Sequence, residues 1–248
     1  MKEKNYEALA PFYDLLTENV DYDAVHRFYT GIFRAQNHTP KILLDLACGT
    51  GTLTFAFEKD GFDVIGTDCS EQMLSVAMEK KFENQSSALF LHQPAQELDL
   101  YGTVDTVVCN LDAVNHFPPE QIGEIFRRVS LFTEPNGLFV FDVNSRFKFE
   151  TLLADRCYSS DADGVFCCWN SRYEKGKAVI TMELFHRQKD KSYRRETQTV
   201  TEYFYSDEFL RNLLEKHGFD LVGICADYSF DPPKEDSQRI HYLARKRD

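Results

Sequence analysis

At 248 residues, 43% of them hydrophobic, the chain can bury a core of its own without disulfide or metal staples. Asp and Glu number 40 against 28 Lys and Arg, and the formal charge of -12 creates a field that repels phosphate backbones and anionic bilayers, which argues against nucleic acid or membrane as a partner. The seven cysteines are odd in number, lack zinc-site spacing and read as reduced thiols; Met1 to Glu7 carries no apolar leader and no run of about eighteen apolar residues follows, so a cytoplasmic protein is expected.

Strand and helix patterns alternate through the first two thirds, as in a parallel sheet with crossover helices. Lys41 to Leu46 reads as the first strand and Gly51 to Lys59 as its helix, stopped by Asp60-Gly61. A second strand ends at Asp68, after which Ser70 caps a helix with Met73, Leu74, Ala77 and Met78 on one face. Leu89 to His92 and Val104 to Cys109 are the third and fourth strands. Pro119 suits the first turn of a helix containing Ile122, Ile125, Phe126 and Val129, and Pro135-Asn136-Gly137 leads into an apolar fifth strand, Leu138 to Val143. The pattern then changes: Val165 to Tyr173, Ala178 to His186 and Tyr193 to Tyr205 are strand-like with no helices between them, which predicts an antiparallel insert. In the last run Thr197, Thr199, Thr201, Tyr203 and Tyr205 share one face and Arg194, Glu196, Gln198 and Glu202 much of the other. A helix from Ser206 and two strands, Leu221 to Ala226 and Ile240 to Arg245, follow. The expected organisation is an N-terminal and ligand-binding core over 1–145, the insert over 146–205 and a completion of the core over 206–248.

The most informative run is Leu43-Leu44-Asp45-Leu46-Ala47-Cys48-Gly49-Thr50-Gly51-Thr52-Leu53-Thr54, an apolar strand breaking into a small-residue loop that opens a helix. Gly49 and Gly51 allow a sharp turn and close ligand approach, and the helix start adds free N–H groups and a positive dipole end. Asp68, at the tip of the second strand, can accept two hydrogen bonds from ribose hydroxyls. A dinucleotide fingerprint would place its third glycine at Thr54, and Asp45 inside the turn would repel a pyrophosphate but receive an ammonium group. The pattern therefore favours an adenosyl ligand with a zwitterionic amino-acid end.

Asp45-x-Ala47-Cys48-Gly49-Thr50-Gly51 followed by Asp68 resembles motifs I and II of the class I S-adenosylmethionine (SAM) methyltransferases, with Ala47 in place of the usual first glycine. The resemblance implies an α/β, Rossmann-like seven-stranded sheet with the antiparallel insert after the fifth strand. Tyr6-x-x-x-Ala10-x-x-Tyr13-Asp14 and the insert look more narrowly like small bacterial enzymes, including amino-sugar N-methyltransferases. That likeness implies a cover or homodimer interface built by the insert and N-terminal helices closing over SAM. It implies that Asp45, Ala47 and Gly49 meet the methionine end, that Asp68 meets the ribose, and that Tyr6, Cys48, Gly51, Cys69, Asn110 and Leu111 complete the cofactor contacts. Met73 could pack on the adenine or simply on its own helix core. Pro94 stands where the family's adenine-binding acid is expected, so Ala95 and Gln96 are the substitutes. Tyr13 and His116 correspond to residues lining the acceptor site.

The loop from Asn110 to Phe117 leaves the carboxyl edge of the sheet, where open α/β folds bind ligands. It lacks the N/D-P-P-Y signature of methyltransferases acting on adenine or glutamine amino groups. Asp112, Asp142 and Asn144 could bind Mg²⁺ as in catechol-type O-methyltransferases or could cap loops, and no metal is expected. Trp169 and the insert's tyrosines could line a pocket or hold a small sheet together. The expected activity is SAM-dependent methyl transfer to a nitrogen or oxygen of a small molecule; the alternative is a non-catalytic SAM- or nucleoside-binding module acting through a protein partner.

Overall fold

The computed structural model describes residues 8–248. A turn of 3-10 helix, Ala10–Phe12, leads into α1 (Tyr13–Leu16) and α2 (Tyr22–Ala35), followed by β1 (Ile42–Leu46), α3 (Thr52–Lys59), β2 (Asp63–Asp68), α4 (Glu71–Asn84), β3 (Leu89–His92), β4 (Val104–Cys109), α5 (Ile122–Phe132) and β5 (Thr133–Asn144). Then come α6 (Arg146–Thr151), β6 (Arg156–Ala162), β7 (Val165–Glu174), β8 (Lys177–Arg187), β9 (Tyr193–Tyr203), α7 (Asp207–Lys216), β10 (Phe219–Ala226) and β11 (Arg239–Lys246). Seven strands form one sheet in the order β10-β11-β5-β4-β1-β2-β3, with β11 antiparallel to both its neighbours. Strand order reverses between β1 and β4, and the crevice at their carboxyl ends is where such a sheet binds ligands.

Side-chain alternation on β5 explains the layering. Phe139 and Phe141 face a core shared with Ile125, Phe126 and Leu210, while Leu138 and Val140 face a second core with Phe28, Ile32 and Phe57. Helices therefore cover both faces of the sheet, as a buried parallel sheet requires. Ser70, Ser145 and Ser206 each cap a helix, accepting from the N–H of Met73, Lys148 and Phe209.

The insert is a separate sheet, β6-β7-β8-β9, antiparallel throughout. It has one strand more than the sequence suggested, because Arg156–Ala162 is polar and exposed and carries no alternation to read. Nor does the sequence predict a helix at α6, whose turn and a half is too short to show a helical period even though Phe149 is buried. Several boundaries also move. β5 begins at Thr133, so Pro135-Asn136-Gly137 lies within the strand rather than before it; Pro119 precedes α5 instead of opening it; and β9 ends at Tyr203. Of β9's two faces, the buried one carries Gln198, Val200 and Glu202. The threonine face is the more exposed one, and a polar strip is turned inward.

Candidate active site

The glycine turn is built as its sequence demands. Gly49 and Gly51 sit at φ +56° and +76°, and Ala47 also takes a left-handed φ of +60° although it has a Cβ. At Gly51 an added Cβ would lie 2.9 Å from the Phe90 ring. The loop is closed by Cys48 N–H donating to Thr67 O (2.9 Å) and Gly51 N–H to Cys48 O (3.0 Å).

Two carboxylates frame it. Asp68 accepts from Gly49 N–H (2.9 Å) on one oxygen and from Ser70 N–H (2.8 Å) on the other. Burial pushes its pKa up, against backbone donors including Ser70, Gly49 and Cys69. With four lone-pair sites on two oxygens, it retains acceptor capacity for a diol. Asp45 is 2% exposed and accepts from Thr54 Oγ1 (2.6 Å) and Asn110 Nδ2 (3.3 Å). Burial raises its carboxyl from 3.8 to about 6 despite those bonds. The carbonyl oxygen of the same Asn110 side chain is buried with no partner. A buried carboxylate beside an unpaired amide oxygen is an acceptor-rich niche suited to an ammonium group, and buried acceptors of this kind call for a donor.

The β4 loop is strained on purpose-built supports. Leu111 and Asp112 are consecutive non-glycine residues at φ +54° and +57°. Their N–H groups both donate to the fully buried Asp142, at 2.9 and 2.5 Å. Arg239 spans Asp142 (2.6 Å) and Asp112 (2.5 Å). This tie orients the Asp112 carboxylate toward His116, whose Nε2 lies 4.0 Å from it. Burial would raise the Asp112 carboxyl, but the charges of Arg239, Lys148 and His116 outweigh it and hold the group low.

Glu202 comes from β9 to meet this pair: one donor atom each from Asp112, His116 and Glu202 lies within 4.8 Å of the others. Asn144 donates to Glu202 (2.7 Å) and accepts from Lys148 (2.8 Å). Burial and the Asp112 charge raise the Glu202 pKa, against His116, Lys148 and the Asn144 bond. Asn115 braces the junction, donating to Tyr203 O (2.8 Å) and accepting from Asn144 N–H (2.8 Å). The Mg²⁺ set considered from sequence does not assemble, since Asp142 is consumed by Arg239 and backbone donors and Asn144 by Glu202 and Lys148. Among the described residues, the acid and imidazole donors close enough together to hold a metal cation are Asp112, His116 and Glu202.

Over the opening lies the N-terminal segment. Asp14 accepts from Thr50 Oγ1 (2.6 Å) and pairs with Lys80 (2.9 Å), and Lys80 also donates to Thr52 (2.9 Å), so α1 is tied to the glycine loop and α4. Tyr13 beside it has its pKa raised by burial, with the charges of Tyr22, Asp112, Asp68 and Asp14 adding to the effect. It is therefore a neutral hydrogen-bonding group between the two acid clusters.

Other expected cofactor contacts are placed as follows. Tyr6 lies outside the described residues. Cys48 is within the turn and Cys69 is exposed beyond Asp68, its carbonyl oxygen against His92 Nε2 (3.0 Å). Met73 is 3% exposed in the first turn of α4. Ala95 and Gln96 are in a 3-10 turn after Pro94, held by Gln93, which bonds Asp99 in both directions (3.0 and 3.1 Å). Sequence reasoning missed Asp14, Thr50, Lys80, Arg239 and Glu202. The only sequence signal for Glu202 is its place on the polar face of β9, because the alternation defines two faces without saying which of them is buried.

A model of a methyltransferase domain matches residues 43–137. A relative from Geobacillus sp. (strain WCH70) named as a methyltransferase is 29% identical over 245 residues, 97% of this chain and 99% of its own. The structure of an S-adenosylmethionine-dependent methyltransferase from Clostridium acetobutylicum ATCC 824 matches with a TM-score of 0.88 at 27% identity, covering 98% of this chain and 99% of that one. The sugar N-methyltransferase KedS8 from Streptoalloteichus sp ATCC 53650 shares the fold at a TM-score of 0.77 and 18% identity, over 95% of this chain and 93% of that one. The chain is a class I SAM-dependent methyltransferase, and SAM is its methyl donor.

Proposed function

We propose that the chain methylates an amine nitrogen of a small-molecule acceptor. The observation that carries this reading is the convergence of Asp112, His116 and Glu202 at the carboxyl edge of β4. Counting Asp142, three carboxylates against Arg239 and Lys148 leave one uncompensated negative charge, which a monocation such as an ammonium neutralises and a dication over-neutralises. The sugar N-methyltransferase fold of KedS8 supports the same acceptor chemistry.

Asp45 with Asn110 would receive the ammonium end of SAM, Asp68 the ribose, and the Gly49–Gly51 turn the close approach of the methionine portion. Bound SAM supplies an electrophilic methyl on a sulfonium, so the protein's task is alignment, worth roughly 7–11 kcal/mol when geometry is good. An amine with a pKa of about 10.4 costs roughly 4–5 kcal/mol to deprotonate at neutral pH. Asp112 and Glu202 would hold the ammonium, His116 or Glu202 would take its proton, and Tyr13 would orient the lone pair.

A screen of small primary amines against matched alcohols, with isotopically labelled SAM and mass detection, tests this. Methylated amines are expected, and turnover should survive EDTA. Exclusive methylation of the alcohols would overturn the amine assignment, and EDTA-abolished turnover restored by Mg²⁺ or Mn²⁺ would reassign the acid cluster to a metal ion.

A further inference from the structure

Cys167 and Cys168 are adjacent in sequence, but the pleat of β7 sends them to opposite faces. Cys167 is 1% exposed and packs with Leu9, Val165 and Leu184 beneath the N-terminal segment. Cys168 stands on the outer face. Across the β6–β7 ladder Cys157 is opposite Asn170 and Cys168 opposite Ser159, so the two cysteines are diagonal neighbours on that same face. Their sulfurs are 3.6 Å apart, and Cys157 is exposed.

We propose that Cys157 and Cys168 are a modification site: a reversible disulfide formed by a peroxide-class oxidant, which pins the edge strand β6 to β7. A disulfide bond is about 2.05 Å long, so the sulfurs must approach by about 1.5 Å. Side-chain rotation and a small shift of β6 supply this, because β6 is the outermost strand of its sheet and hydrogen-bonds to a neighbour on one side only.

The chemistry balances in two steps. The Cys157 thiolate attacks a peroxide oxygen, the O–O bond breaks, and a sulfenic acid and hydroxide form. The Cys168 thiol, whose pKa is pushed up by its contact with Cys157, then attacks the sulfenic sulfur and water leaves. Two thiols are oxidised and one peroxide is reduced.

The consequence reaches the cover of the active site. Between the two cysteines along the ladder, Tyr158 stacks on Trp169 at 5.9 Å. Trp169 in turn packs against the Leu9, Val165, Cys167 and Leu184 cluster, on which Phe12, Leu15 and Leu16 also pack. Fixing β6 therefore stiffens the platform on which α1, with Tyr13 and Asp14, rests.

Full-length protein treated with dilute hydrogen peroxide, alkylated and digested should yield a peptide pair linked through Cys157 and Cys168, with Cys167 alkylated only after unfolding. Its melting temperature should rise, return to the starting value on adding dithiothreitol, and stay unchanged by peroxide in Cys157→Ser. Quantitative alkylation of Cys157 and Cys168 after peroxide, or Cys168 linked instead to Cys167 or to a second chain, overturns the site. A linked pair with no change in melting temperature overturns the pinning of β6.

Discussion

At Asp68 a single carboxylate bonds Gly49 N–H and Ser70 N–H and keeps lone pairs free, which in the proposed site would receive the ribose. Asp68→Ala should weaken SAM and S-adenosylhomocysteine alike, because losing a charged acceptor costs about 1.5–3 kcal/mol, roughly a factor of 10 to 100. Calorimetry giving wild-type affinity in a folded Asp68→Ala protein would remove Asp68 from the cofactor site. Ala47 presents the opposite case, a residue whose backbone conflicts with its side chain. A left-handed conformation costs an L-residue about 1–2 kcal/mol, and glycine relieves it at about 0.5–1 kcal/mol of chain entropy. Ala47→Gly should therefore stabilise the protein by up to about 1 kcal/mol, seen as a higher denaturation midpoint at unchanged m-value. A lower midpoint would mean that the methyl group of Ala47 packs usefully enough to outweigh the strain.

Elements with a strong period were legible in the sequence, and elements defined by partners were not. β3 and β4 appear at the boundaries that alternation and apolar content gave them, and the glycine turn is where its composition put it. β6 was invisible because an exposed edge strand buries nothing that would impose a pattern. Glu202 and Arg239 join the site from β9 and β11, far from the motifs, and a long-range charge pair leaves no spacing to recognise. The cover shows the same limit: Asp14 stood out only as part of a Tyr-Asp pair, whereas its partners Thr50, Thr52 and Lys80 lie on two other elements. That latch predicts an element-scale effect. Lys80→Met removes one ion pair and two hydrogen bonds, to Thr50 and Thr52, and with Asp14 substantially exposed the loss is about 0.5–1 kcal/mol, two- to five-fold in SAM affinity. It should emerge mainly as faster SAM release in stopped-flow fluorescence, because the cover must open for the ligand to leave. Slower association with unchanged release would place Lys80 in ligand capture rather than in the latch.

Over the whole molecule, buried acid at the site links ligand binding, proton uptake and stability. Asp45 titrates at about 6 in the folded chain against 3.8 for the free group, with burial as the main cause. A folded pKa above the unfolded one means that the native state binds the extra proton. The stabilisation from this group is fully present below about pH 4 and is lost as pH rises through about 6, at most on the order of 3 kcal/mol. An ammonium group seated against Asp45 reverses the preference by stabilising the carboxylate, so SAM binding should release a proton near pH 5–6 and tighten up to about pH 7. Because a ligand that binds only the native state raises the melting temperature with its affinity, the increment produced by a fixed SAM concentration should grow by several degrees between about pH 5 and pH 7. Asp45→Asn carries no titrating proton there. It should bind SAM more weakly at pH 7 and show a flattened increment, with the contribution of Asp68, whose pKa is also raised by burial, remaining. Scanning calorimetry of both proteins with and without SAM across this range makes the comparison. An increment in the wild type that does not change with pH, or an unchanged slope in Asp45→Asn, would show that the ammonium end of SAM is held elsewhere than at Asp45.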